Sequence, residues 1–257
     1  MPPAPVPRVH VHFHPERRFG DTTVLGAIAD RGRYVSQFVT GTSNGGLTAH
    51  PGGSRWRWES RLFEGRYDDG DALDRPVYGA WDRLGSPWGA APRFGSAHFV
   101  IGPEVGRRST FCFPDSYLEP THVGGPALLP VLRSLADEAA VAPGAEPLDD
   151  YVEAHVHGGL AVPADVECVV LDPSFRGGEV EEAAGRLGCE VRWHPGFVVD
   201  VSTLDPSFRT PESVALAHEI ADAHGRLTPA LLGAAAPLHD PQVVKHVWHH
   251  LAAFGRG

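Results

Sequence analysis

The chain of 257 residues contains one lysine, Lys245, and three cysteines, Cys112, Cys168 and Cys189. So few and so scattered thiols exclude both a disulfide framework and a zinc knuckle. Cys168 and Cys189 sit in apolar runs and read as buried thiols. Positive charge is also scarce: 22 basic residues face 32 acidic ones, a formal charge of −10. The broad basic footprint that a nucleic-acid-wrapping protein needs is therefore missing, and no nucleic acid is expected as a partner. No apolar run approaches the roughly 18 residues that a membrane-spanning helix requires, so no membrane partner is expected. No signal-peptide core precedes the first strand pattern. The expected location is the cytoplasm, or export by a specialised secretion system. With arginine replacing lysine almost everywhere, and with abundant Ala, Gly and Pro, the composition reads as the coding bias of a GC-rich genome.

What is present is ordinary for a globular protein with its own core, at 42% hydrophobic and 21% charged residues. A Pro-rich leader, residues 1–8, is expected to be disordered. Val9 to Phe13 alternates with His10, His12 and His14 and predicts a strand ended by Pro15. Thr22 to Asp30 predicts a short helix stopping at Gly32, and Tyr34 to Thr40 a second strand. Residues 51–75, rich in Trp, Arg and acids, predict an ordered loop or short helix. Arg75–Trp81, Phe94–Ile101 and Ser109–Phe113 read as strands, the last two joined as a hairpin through Gly102-Pro103. Ala127–Val141 predicts an amphipathic helix, Val166–Leu171 a strand, Glu179–Leu187 a helix and Cys189–Trp193 a strand. A helical region runs from Pro211 to Phe254, broken at Gly225, Gly233 and Pro237. The hexapeptide Leu171-Asp172-Pro173-Ser174-Phe175-Arg176 recurs as Leu204 to Arg209. Asp-Pro-Ser is turn chemistry, so the repeat reads as one turn used twice, without a catalytic role.

The most informative segment is Tyr151-Val152-Glu153-Ala154-His155-Val156-His157-Gly158-Gly159-Leu160. Alternation places Glu153, His155 and His157 on one face of a strand that ends in a Gly-Gly turn. One carboxylate with two imidazoles beside glycines points to a cleft. Fifteen histidines are many, and they cluster as His10/His12/His14, His155/His157 and His246/His249/His250. A His-x-His pair on a first strand can chelate a metal ion. The missing helix–strand alternation in the middle of the chain argues against a TIM barrel. The loop Gly41-Thr42-Ser43-Asn44-Gly45-Gly46 has small residues and backbone donors that can approach a phosphate or ribose. It is neither a Walker A motif nor a dinucleotide fingerprint. Arg108-Ser109-Thr110-Phe111 opens a strand of small hydroxyl residues.

In their order and spacing these pieces resemble the ADP-ribosyltransferase superfamily, whose members carry an Arg or His on a first strand, a Ser-Thr-Ser or Tyr on a middle strand, and a catalytic Glu followed by Gly-Gly. The matching elements are His12-Phe13-His14 with Arg17 close behind, Ser109-Thr110-Phe111 with Ser96 as the alternative, and Glu153 to Leu160. Tyr151 stands where arginine-specific members have a second Glu. The resemblance implies a strand-rich α+β fold in which two packed antiparallel sheets form an NAD cleft. It implies a catalytic domain over residues 9–200, and residues 201–257 would form a helical appendage packed on it. It implies NAD as substrate, with ADP-ribose passed to an unknown protein or small-molecule acceptor in the manner of a bacterial toxin or effector. Glu153 and His14 would be catalytic. His12, Arg17, Thr42, Ser43, Asn44, Gly45, Ser109 and His155 would bind the cofactor, with no metal. Segments His12–Pro15, Ser36–Gly41, Arg75–Ala80 and Glu153–Gly158 also resemble an uncharacterised bacterial domain-of-unknown-function family. The alternatives are a metal-dependent hydrolase using His12, His14, His155 and His157, or a non-catalytic binding module.

Overall fold

The computed structural model describes residues 6–41 and 49–256, so most of the Pro-rich leader lies outside the described residues. Eight strands form one sheet: β1 (Val9–Phe13), β2 (Val77–Trp81), β3 (Ala97–Ile101), β4 (Ser109–Cys112), β5 (Val123–Gly124), β6 (Val152–Val156), β7 (Val166–Leu171) and β8 (Glu190–Trp193). Their spatial order is β8-β7-β3-β1-β2-β6-β4-β5. Neighbours run antiparallel except β7 and β8, which are parallel. The described helices are α1 (Val24–Arg31), α2 (Gln37–Thr40), α3 (Ser54–Leu62), α4 (Pro103–Arg107), α5 (Leu129–Ala140), α6 (Glu179–Gly185), α7 (Pro211–Ile220), α8 (Pro229–Ala235) and α9 (Pro241–Phe254). The fold is α+β, as expected, with its long strands joined in a single sheet rather than divided between two packed ones. Among the described residues, no helix is long and apolar enough to cross a membrane.

Local chemistry explains most element boundaries. Thr23 caps α1 by accepting from the Gly26 amide at 3.0 Å, and Gly32 ends the helix at φ 63°. Tyr34–Thr40 does not form the expected strand. Only Arg33–Tyr34 pairs, with Leu160–Ala161, and α2 follows, closed by Gly41 at φ 65° donating to the Gln37 carbonyl. The expected hairpin at Gly102-Pro103 is instead the start of α4, with Pro103 in its first turn. Its flanking strands β3 and β4 are not neighbours; β1, β2 and β6 lie between them. The repeated hexapeptide does form the same turn twice. Asp172 accepts from the Ser174 amide and Asp205 from the Ser207 amide, both at 2.8 Å.

The sheet has two unlike faces, and both are covered. One face is apolar: Val9, Val11, Phe13, Phe99, Ile101, Phe111, Val152, Ala154 and Val156 pack with Leu25 and Ile28 of α1, Leu132 and Ala136 of α5, and Val180 and Ala183 of α6. At roughly 25 cal/mol per Å² of apolar area removed from water, this face is the main driving force of the fold. The other face carries His10, His12, His98, Glu153, His155 and Cys112, all buried. Over its β2–β6 half lies α3 with the segment that follows it. Glu59 of α3 is buried and paired with Arg75 at 2.9 Å and Arg55 at 3.4 Å. Arg55 lies over the rings of Trp58 and Tyr78. Over the β1–β3 half lie the segment around residues 88–95 and the C-terminal helices, whose own apolar cluster includes Phe197, Leu216, Leu227, Val247 and Leu251. The Trp248 indole N–H of α9 reaches the carbonyls of Pro92 and Arg93, both at 3.0 Å.

Burial lowers the pKa of His10, His12 and His98 on this face. His12 Nδ1 meets the Gly95 carbonyl at 3.1 Å, and its Nε2 accepts from the Ala91 amide at 3.2 Å. The first must therefore carry the proton and the second must not. Burial lowers the His12 pKa to about 3.

Two outcomes follow from these pairings. Replacing Glu59 with Ala strands two guanidinium groups in a buried site. The loss expected in urea unfolding is about 3–5 kcal/mol, the usual scale for removing one partner of a buried ion pair, whereas a loss below about 1 kcal/mol would show that α3 is not held by this pair. For pH, the folded state keeps His12 neutral while the unfolded chain protonates it near its ordinary value of roughly 6.5. Its contribution is thus complete above the unfolded value and is lost as pH falls through 6.5 toward 3. A slope of about 1.4 kcal/mol per pH unit from this residue is expected in that window. His12→Asn should flatten the measured profile by that amount, and an unchanged profile would show that His12 is not buried neutral.

Candidate active site

Register fixes which side chains meet on the polar face. His10 is opposite Ala80, Ala80 opposite Glu153, and Glu153 opposite Cys112. One pleat further along, Tyr78 is opposite His155, and His155 opposite Thr110. Directly opposed residues on one face are close enough for side chains to touch.

From Glu153 a continuous hydrogen-bonded chain runs along β6 and β4. Glu153 Oε1 meets His155 Nε2 at 2.8 Å. His155 Nδ1 meets Thr110 Oγ1 at 3.0 Å, and the same oxygen meets His157 Nε2 at 2.9 Å. His157 Nδ1 meets the Tyr67 hydroxyl at 2.5 Å. With Glu153 ionised and both rings neutral, the protons run in one sense: His155 donates to the carboxylate, Thr110 to His155, His157 to Thr110, and Tyr67 to His157. Burial holds His157 down to about 4, which keeps that ring neutral as the chain requires. The rings of Phe63 and Tyr78 stand edge-on to His155 at 5.1 and 5.2 Å and fix its plane.

The other carboxylate oxygen, Oε2, makes no hydrogen bond among the described residues, and the Glu153 side chain keeps 8% of its surface exposed. Around it stand Cys112, with Sγ 3.7 Å from Oε1, and a Tyr151–Asp115 pair at 2.5 Å. Burial, then the charge of Glu153, pushes the Cys112 thiol and the Asp115 carboxyl up. Tyr151 is likewise raised, by burial and then by Asp115 and Glu153. The charge of Glu153 thus acts on all three of these neighbours.

The Gly-Gly turn after β6 is a steric requirement. Gly158 and Gly159 have φ of 79° and 73°. It is this backbone conformation that favours glycine; the atoms a Cβ would meet, Arg108 Nη1 at 2.6 Å and Arg33 Nη2 at 2.5 Å, are the movable ends of long side chains. Arg108 itself donates to the His157 carbonyl at 2.5 Å, tying the end of the relay strand to β4.

The expected site residues separate into groups. Glu153, His155 and His12 share the polar face, with β2 between Glu153 and His12. His14 lies beyond the end of β1, edge-on to Trp248 at 5.0 Å and 3.4 Å from Glu16. It joins Arg17 in a different place, a cavity of about 100 Å³ that also has Phe13, Arg31, Arg33 and Tyr34 in its wall. Ser109 is a correction. It has the parity of Phe111 and faces away from Glu153, and its hydroxyl donates to the Val105 carbonyl of α4 at 2.9 Å. The hydroxyl that reaches the site belongs to Thr110. Ser96, the alternative, is buried. Thr42, Ser43, Asn44 and Gly45 lie outside the described residues. Sequence reasoning missed Thr110 and Tyr67. Thr110 could have been found from its parity with Cys112, whereas nothing in the sequence connects Tyr67 to His157.

For a metal ion, the described residues offer Cys112, Glu153 and His155, with ligand atoms within 4.8 Å of one another. A metal ion held there would take Cys112 as the thiolate, which is the form that ligates. His12 and His14 do not converge with His155 and His157, so the hydrolase arrangement expected from the His-x-His pairs is not assembled.

No curated protein matches the chain. Two solved structures of DarT from Thermus sp. 2.9 are similar to it, one in complex with NAD+ and one in complex with ADP-ribosylated ssDNA. Each is 14% identical with a TM-score of 0.41, and the likeness spans 75% of this chain and 96% and 95% of the respective DarT chains. The family model for the protein of unknown function DUF3626 matches residues 8–140 and 128–253, nearly the whole length, and the chain belongs to the DUF3626 family.

Proposed function

We propose that the protein is an NAD-dependent mono-ADP-ribosyltransferase in which Glu153 is the catalytic carboxylate, with residues 9–200 as the catalytic body and 201–257 packed on it. The observation that carries this reading is the two-sided setting of Glu153. Oε1 is fixed by His155 at 2.8 Å, while Oε2 has no hydrogen-bond partner among the described residues. A carboxylate pre-oriented on one side and available on the other suits a reaction that develops positive charge beside it. Cleaving the nicotinamide–ribose bond is such a reaction: the C1′–N bond breaks, its electron pair leaves with nicotinamide, and the ribose becomes oxocarbenium-like. Glu153 would accept a hydrogen bond from a ribose hydroxyl and offset that charge, an interaction stronger in the transition state than in the ground state. Attack by the acceptor then forms the new C1′ bond.

His12, His14 and Arg17 remain the proposed cofactor contacts on the first-strand side. The cavity of His14 and Arg17, with Arg31, Arg33 and the Tyr34 ring in its wall, has the chemistry to take an anionic, partly aromatic molecule such as NAD. Arg33 in its wall also packs against the Gly158-Gly159 turn that follows β6. Thr110 replaces Ser109 as the working hydroxyl of the middle strand and acts as a positioning residue.

Release of nicotinamide from NAD tests the reading. Glu153→Gln keeps shape and removes charge, and is expected to slow cleavage by about 10²-fold or more, the scale of losing a principal electrostatic stabiliser. A folded Glu153→Gln protein with near-wild-type turnover would refute the assignment. Thr110→Val breaks the relay at its centre without touching Glu153. It is expected to lower kcat by roughly 10-fold with KM little changed, because it disturbs an interaction made in the transition state. Thr110→Ser should restore most of the rate, and equal losses in the Val and Ser variants would show that Thr110 acts through packing instead.

A further inference from the structure

The chain's only lysine stands in a cluster that the Glu153 site does not use. Lys245 and His249 are four residues apart on α9 and therefore share one helix face. Arg209, from the second copy of the repeated hexapeptide, donates from Nε to His249 Nδ1 at 2.8 Å. Arginine has no acceptor, so Nδ1 of His249 must be the unprotonated nitrogen and Nε2 must carry the hydrogen. That Nε2–H is buried and has no partner among the described residues, in a residue only 3% exposed. A buried donor of fixed tautomer without an acceptor is costly, which makes it an informative exception.

The groups around it are cationic. Burial and the charges of Arg93, Arg209 and Lys245 hold His249 far below the usual imidazole range. The Lys245 ammonium is itself lowered, by burial and by Arg93 and Arg209. Two carboxylates offset part of this. Glu146 binds Arg209 at 3.0 Å, and Asp149 pairs with Arg93. Three fixed positive charges against two negative ones leave an excess of one, with Lys245 in no ion pair among the described residues. Arg209 Nη2 also makes no hydrogen bond there. In a chain of net charge −10, such a spot stands out electrostatically.

We propose that Lys245, His249 and Arg209 form a binding site for a phosphate group, separate from the Glu153 carboxylate. An ammonium, a guanidinium edge and a neutral imidazole N–H are three donors of different reach, and a tetrahedral oxyanion can accept from all of them at once. A monocarboxylate has one plane of lone pairs and satisfies fewer. Trp248, between Lys245 and His249 in sequence, pins α9 to the Pro92 and Arg93 carbonyls, so two of the three donors are held on a fixed helix.

Titration calorimetry with inorganic phosphate, AMP and adenosine tests the site on the full-length protein. Saturable phosphate binding is expected, weakened at least 10-fold in Lys245→Gln, a half-buried position whose replacement leaves the core intact. AMP binding tighter than phosphate identifies a nucleotide as the source, and equal affinities identify the free or terminal phosphate. Adenosine should not bind through this site. The independent readout is nitrogen-15 NMR of histidine: the His249 Nε2–H resonance should shift and its proton exchange should slow when phosphate is added. Absence of saturable phosphate binding at millimolar concentration, or binding equal in wild type and Lys245→Gln with an unmoved His249 resonance, would overturn the proposal. Because these measurements need no NAD turnover, their outcome is separable from that of the Glu153→Gln assay.

Discussion

The constraint on which this structure depends is the burial of a polar sheet face. A strand that alternates apolar and polar residues ordinarily turns its polar side to water. Here β1, β3 and β6 send His10, His12, His98, Glu153 and His155 to a face that α3, the segment around residues 88–95 and the C-terminal helices cover. Every polar atom placed there needs a partner or a reason for lacking one. The pairings of His12 with Gly95 and Ala91, of His194 with Ser96 and Gly196, and of Glu59 with Arg55 and Arg75 meet that requirement. They also fix tautomers and lock the covering segments to the sheet. His10 Nδ1 and His98 Nδ1 are left without a partner among the described residues, and at Glu153 only one oxygen is satisfied from within.

That constraint explains what could be read from the sequence. Val9–Phe13 and Val152–Val156 are legible because alternation survives even when both faces are buried. The helix from Val24 is legible because Thr23 and Gly32 mark its ends by local chemistry. What failed was non-local. Gly102-Pro103 looks like a hairpin turn, yet the strands on either side are separated by three others, and no short-range signal reports that order. Tyr34–Thr40 has the composition of a strand. Its second half is helical because Gly41 can adopt the left-handed conformation that closes a turn. The Ser109 expectation failed by one residue. In a strand a one-residue shift exchanges faces, so the hydroxyl that serves the site is the neighbour's. Tyr67 was beyond reach, since it comes to His157 across 90 residues of sequence.

The repeated hexapeptide shows how one local solution can serve two non-local ends. Both copies form the same Asp-capped turn, yet the residues they place differ in use. Asp172 of the first copy also accepts from the Phe197 amide at 2.8 Å, joining β7 to the start of the C-terminal cluster. The first copy's Arg176 lies over the Trp193 ring. The second copy's Arg209 stacks on Phe208 and reaches His249. The turn supplies direction, and the surroundings decide what the arginine does.

The polarity of the relay bears on what Glu153 can do as the proposed catalytic group. With Glu153 ionised, His155 Nε2 carries a hydrogen that points at the carboxylate, and each later link points the same way. A proton taken by Glu153 from an acceptor could not pass outward along this chain, because His155 Nε2 is already occupied. Outward transfer would first require every link of the chain to invert. The arrangement therefore stabilises negative charge on Glu153 and does not drain protons from it. On this reading Glu153 works as a fixed, oriented charge beside the breaking nicotinamide–ribose bond. On the same reading, an acceptor that must lose a proton would lose it on the open Oε2 side or directly to solvent.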